Sequence, residues 1–174
     1  MTCRTLVIGY GNVLRGDDAL GPIVAQHLLE TLPPGQARVL IRSSLIPELA
    51  AEMAEADLVI FLDAAADGLP GQVTCRRLHA AAAPPDPLVH EIDPLSLLGL
   101  TWHLFGQEPE AYLLSCRGES FDLREGELSS EVGGMVEVMV EQTRALIIAR
   151  NLPRGNCPGY FSIRDGQSRA RTPG

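Results

Sequence analysis

The chain has 174 residues, 45% of them hydrophobic and 21% charged, with a net charge of -8. A chain of this size can bury one continuous core without disulfide or metal staples, none of its apolar runs approaches the roughly 18 residues of a membrane span, and an acidic surface is a poor non-specific partner for nucleic acid. All 14 basic residues are arginine, which excludes a P-loop lysine, a Schiff-base lysine and any lysine nucleophile.

The charge is uneven. Residues 151–174 hold four arginines and one aspartate, a net of +3, which leaves -11 on residues 1–150. We therefore expect a single α/β domain over 1–150 and a basic, disordered tail over 151–174, too rich in Gly, Pro, Ser and Arg to bury much surface. The opening residues lead into too short an apolar run for a secretory signal, so the expected compartment is the cytoplasm. Cysteines 3, 75, 116 and 157 form no CxxC pair and read as buried free thiols rather than a zinc or redox motif.

In chain order, Thr5 to Tyr10 is β-branched and nearly continuous, as in a buried parallel strand. Asp17 to Leu32 follows with apolar residues at close to a helical period, and Pro33-Pro34-Gly35 stops it. Ala37 to Ile41 reads as a second strand and Pro47 to Ala56 as a second helix. Leu58 to Leu62 is the most buried-looking strand and delivers Asp63 at its carboxyl end. The connection to the next strand, Gln72 to Leu78, is too short for a crossover helix, which predicts a hairpin and an antiparallel fourth strand. Ala80 to Asp93 is a loop holding His90. Asp93 and Pro94 then open a helix to Phe105, Ala111 to Cys116 is a fifth strand, and Ser130 to Arg150 reads as one long helix. The alternation predicts a three-layer αβα sandwich: a doubly wound, mostly parallel five-stranded sheet with one antiparallel strand.

In such sheets ligands bind beyond the carboxyl ends of the strands, where the strand order switches. The stretch Gly9-Tyr10-Gly11-Asn12-Val13-Leu14-Arg15-Gly16-Asp17-Asp18 ends the first strand there. Its glycines begin a dinucleotide fingerprint, but Leu14 stands at the third glycine position, the second strand supplies no acid for a ribose, and two carboxylates at a helix start repel phosphate. Asp17 or Asp18, Asp63 and His90 instead form a set of two carboxylates and one imidazole, suited to a borderline divalent metal with open positions. Each also has a plain structural reading as a helix cap, a strand end or a surface histidine. His27 and His103 read as packing or surface residues and Cys116 as core.

The segment Gly9-x-Gly11-Asn12-x-Leu14-x-x-Asp17-Asp18-x-x-Gly21, the strand ending in Asp63-Ala64, and His90 ahead of Asp93-Pro94 together resemble the [NiFe]-hydrogenase maturation proteases. Gln107-Glu108-Pro109 and Leu128-Ser129 fit the same family, and the resemblance spans about residues 4 to 150. It implies an endopeptidase that removes the C-terminal extension of the hydrogenase large-subunit precursor after nickel has been inserted. It also implies that Asp18, Asp63 and His90 contact nickel supplied by the precursor, and that no organic cofactor is used. Gly9 and Gly11 then serve as the turn that presents Asp18, and Asp17 caps the helix or holds that turn. Two positions depart from the family pattern: Ala19 stands where glycine is frequent, and Asp18 where the longer glutamate is. A non-proteolytic metal-site chaperone using the same three residues, or a peptidase of this fold acting on another substrate, are the alternatives. Oligomeric state is left open.

Overall fold

The computed structural model describes residues 4–80, 92–123 and 127–151. His90 and the basic tail beyond residue 151 lie outside them. Five strands, β1 (Thr5–Tyr10), β2 (Arg38–Arg42), β3 (Leu58–Ala65), β4 (Val73–Leu78) and β5 (Glu110–Arg117), form one sheet in the order β2-β1-β3-β5-β4. The helices are α1 (Leu20–Thr31), α2 (Leu49–Ala54), α3 (Pro94–Phe105), α4 (Ser130–Gly133) and α5 (Val136–Asn151). No helix of the described residues is long and apolar enough to cross a membrane.

The three layers follow from strand alternation. Val7, Leu58, Ile60, Leu62, Leu114 and Cys116 point to one face and pack with the buried sides of α1 and α5. Leu6, Ile8, Val59, Phe61 and Leu113 point to the other and pack with α2 and α3. β1, β3 and β5 are apolar on both sides and take the centre, as parallel strands covered by helices must. All but β4 run parallel.

Two expectations are corrected. β4 is antiparallel, as predicted, but it makes no hairpin with β3: β5 inserts between them, pairing in parallel with β3 and antiparallel with β4. The burial patterns give the reason. β5 is buried at its six inner positions, whereas β4 alternates, with Thr74, Arg76 and Arg77 exposed. The strand with two apolar faces goes inside, and the charged one becomes the edge, where arginines discourage further pairing. The final helix, read as one element, is two. α4 ends at Gly133, and α5 begins only after Gly134 and Met135. Two consecutive glycines each weaken helix by about 1 kcal/mol relative to alanine.

Helix ends elsewhere follow local chemistry. Asp93 caps α3, accepting the Ser96 amide at 2.6 Å, with Pro94 following at the first helical position, and Gly106 closes the helix in the left-handed conformation at φ 65. α1 is preceded by a 3-10 turn, Gly16–Ala19, so Asp17 and Asp18 lie ahead of the α-helix proper.

Candidate active site

β1 sits between β2 and β3, and the chain leaves it for α1 on one face before returning to α2 on the other. The carboxyl ends of β1 and β3 are therefore the switch point at which a crevice opens. Tyr10 and the loop to Asp18 come from β1; Asp63 comes from β3, one residue beyond the Gly9 to Leu62 pairing.

Glycines set the spacing here through the absence of a side chain. A Cβ on Gly21, in the first turn of α1, would overlap the carbonyl oxygens of Leu62 and Tyr10; one on Gly9 would overlap the Gly21 carbonyl. Gly11, at φ 142, lies so close that its Cβ would overlap the Asp18 carbonyl oxygen. Gly9 thus belongs to the strand rather than to a turn, and its smallness lets α1 rest on β1. Of the two, Gly11 takes the turning conformation that L side chains rarely adopt.

The two neighbouring aspartates have different surroundings. Asp17 is fully buried. It accepts the amides of Glu119 at 2.7 Å, Ser120 at 2.9 Å and Ser129 at 2.7 Å, together with the Ser129 hydroxyl at 2.9 Å. Burial opposes its charge, but the hydrogen bonds from Ser120, Ser129 and Glu119 outweigh that and hold the carboxyl below the usual aspartate range. Asp17 therefore ties the 3-10 turn to the segment between β5 and α4, and it has no oxygen left to offer a ligand. Asp18 is half-buried. Its Oδ2 accepts the Asn12 amide at 2.8 Å, and its Oδ1 accepts no hydrogen bond among the described residues.

Asp63 is also half-buried. Tyr10 donates its hydroxyl to Oδ2 at 2.7 Å and the Ala64 amide donates to Oδ1 at 2.8 Å. Burial pushes its pKa up to about 6; the Tyr10 and Ala64 hydrogen bonds pull the other way, and the Asp18 charge adds to the rise. The Tyr10 phenol is raised well above its ordinary value, first by burial and then by the Asp63 charge, with smaller contributions from Asp93 and Asp18. Tyr10 is therefore a proton donor throughout the physiological range. Asp63 on its hydroxyl, together with the charges of Asp93 and Asp18, makes the surroundings of this phenol electronegative.

Of the three residues expected to meet a metal, Asp18 and Asp63 come together at adjacent strand ends, and His90 lies outside the described residues. Among those residues no group of three or more His, Cys, Asp or Glu side chains is arranged to hold a metal. His27 and His103 are exposed. Cys116 is buried in the core, where burial and the Asp17 charge push its thiol up, so it is no nucleophile. Tyr10, which holds the Asp63 carboxylate, is the residue at this site that sequence reasoning missed. The signal was available: a tyrosine ending an apolar strand carries a hydroxyl that needs a partner when buried.

No protein-family model matches this sequence, and no curated protein matches it significantly. Solved structures do. The hydrogenase 2 maturation peptidase of a Thaumarchaeota archaeon is 28% identical, with 82% of this chain and 97% of that one covered at a TM-score of 0.61. The hydrogenase maturating endopeptidase HybD of E. coli is 26% identical, with 83% and 92% covered at 0.64. The [NiFe] hydrogenase maturation protease HycI of Thermococcus kodakarensis, 24% identical, has the same fold, with 84% and 93% covered at 0.65. The resemblance read from the sequence thus holds in three dimensions, and the fold is that of the hydrogenase maturation peptidases.

Proposed function

We infer that this chain is the endopeptidase that removes the C-terminal extension of a nickel-loaded [NiFe]-hydrogenase large-subunit precursor. The observation that carries this reading is the division of labour between Asp17 and Asp18: Asp17 is consumed by the fold, while Asp18 keeps an oxygen free beside Asp63 at the switch point. The names of the structural neighbours supply the reaction class.

In this reading nickel arrives with the substrate. Thiolates of the precursor supply the soft ligands, and Asp18, Asp63 and His90 offer harder oxygen and nitrogen donors to the positions that remain open. Tyr10 and the Ala64 amide fix the plane of the Asp63 carboxylate, which lowers the cost of ordering it when the cation docks. Near its pKa of about 6 Asp63 carries a proton part of the time, and an approaching dication favours the ionised form. A precursor without nickel would leave these half-buried carboxylates uncompensated, so binding distinguishes loaded from empty substrate.

The test is incubation of the purified protein with nickel-loaded and with nickel-free precursor, read by intact mass. The expected result is loss of the C-terminal peptide only from the loaded form, and its loss of dependence on nickel in no variant that still folds. Equal trimming of both forms would sink the gating idea. Stable complex formation without any mass change would identify a chaperone instead.

A further inference from the structure

An open cavity of about 650 Å³ extends from Tyr10 and Asp63 across the α3 side of the sheet to β4. Leu113 and Leu78 line it from the sheet, and Asp93 lies at its rim where α3 begins. Its lining carries both signs of charge. Its acids are Asp63, which holds the Tyr10 hydroxyl, and Asp93, and Arg76 is the cation among the described lining residues. Arg76 is exposed on the edge strand, and among the described residues no carboxylate pairs with it, whereas the next residue, Arg77, pairs with Glu110 at 3.8 Å.

Sheet register locates Arg76 relative to Asp63. Asp63 is opposite Ser115, Ser115 is opposite Thr74, and the Thr74 and Ser115 hydroxyls lie 3.1 Å apart. Arg76, opposite Leu113, is two strands across from Asp63 and two residues along, on the same face. Strand spacing and rise put that separation at about 12 Å between Cα atoms, which an extended peptide covers in about three to four residues.

We propose that Arg76 is a specificity-determining residue that binds an acidic side chain of the substrate segment, about three to four extended residues from the group held at Asp63. The inference rests on the endopeptidase reading for the identity of that substrate. A guanidinium takes a carboxylate through two parallel N–H donors, so it selects planar acids over other polar groups. The cavity then reads two charges at a fixed separation: a cation at the aspartates and an anion at the edge strand. Two-point recognition of this kind rejects a peptide that satisfies only one end.

The test uses the full-length protein and nickel-loaded precursor, with affinity measured on immobilised precursor and cleavage by intact mass. Arg76→Glu is expected to weaken binding and raise KM about fivefold with kcat held, the size of an exposed ion pair, while Arg76→Lys, which keeps the charge but not the two parallel donors, recovers only part of the affinity. Precursors in which the acids near the cleavage site are changed to lysine one at a time should include one that rescues Arg76→Glu and is itself poorly bound by the wild type. Thermal melting of Arg76→Glu at the wild-type temperature shows that the effect is not unfolding. Wild-type affinity and KM in Arg76→Glu would overturn the proposal and leave the endopeptidase reading standing. Binding that depends on Arg76 without any cleavage would remove the endopeptidase reading and retain the contact. A wild type that neither binds nor cleaves overturns both.

Discussion

Asp17 and Asp18 are adjacent in sequence and share a charge, yet they occupy opposite kinds of site. The first sits in a closed socket of three amides and a hydroxyl; the second stands at the lip of a crevice with one amide on one oxygen. A carboxylate surrounded by donors is a fastener, and one left short of donors keeps an oxygen free for another partner. The difference teaches that the chemistry of an acidic pair is set by how many backbone amides reach each member, which the residue types alone do not express.

The comparison can be broken most severely at Asp17. Replacement by asparagine brings an NH2 group against amides that need an acceptor and is expected to cost about 3 kcal/mol, lowering Tm by about 10 °C; an unchanged melting curve would refute the socket. Because the folded-state pKa of Asp17 is depressed, its contribution is present above the ordinary aspartate pKa of about 3.9 and is lost as pH falls below it. Acid melts of wild type and Asp17→Asn should therefore begin to draw together below about pH 4 and meet only once pH has fallen through the depressed folded-state value.

Asp18 should behave in the opposite way. Asp18→Asn keeps an oxygen for the Asn12 amide, so stability should change by less than about 1 kcal/mol while precursor cleavage falls about 100-fold. Loss of folding together with activity would erase the distinction between the neighbours.

The smallest effects sharpen the crevice side. For Asp63 the sign is reversed: its folded pKa, about 6, lies above the ordinary aspartate value, so the native state loses stability from this group as pH rises between the two. Asp63→Asn should melt slightly higher than wild type at pH 7, with the gap closing as pH falls toward about 4. Tyr10→Phe removes a hydrogen bond that favours the Asp63 carboxylate, and its titration, followed by carboxyl carbon NMR, should move further upward.

Much of the layout was legible before the structure. The run Thr5–Tyr10 and the helix Pro94–Phe105, with its Asp93 cap, stand where apolar period and capping chemistry placed them. That the loop carrying Asp17 and Asp18 leaves β1 next to the end of β3 that carries Asp63 followed from the rule of switch points. What stayed hidden was non-local. That β5 separates β3 from β4 depends on competition among strands for the centre of the sheet, which no short window records. The reach of Asp17 to Glu119, Ser120 and Ser129 spans more than a hundred residues, and the meeting of Gly21 with Leu62 is a contact between main chains. The break after Gly133 was visible as a glycine pair but was overridden by the apolar period running through it.

The contact at Gly21 has a mechanical side. At Gly21 α1 meets the ends of β1 and β3 backbone to backbone, so no side chain stands as a spacer between the helix that follows Asp18 and the strand that carries Asp63. The two carboxylates work like the jaws of a caliper whose opening is fixed when the protein folds. In the proposed reading an ion presented to them must match that opening, and a methyl group on Gly21 would reset the gauge without touching either jaw.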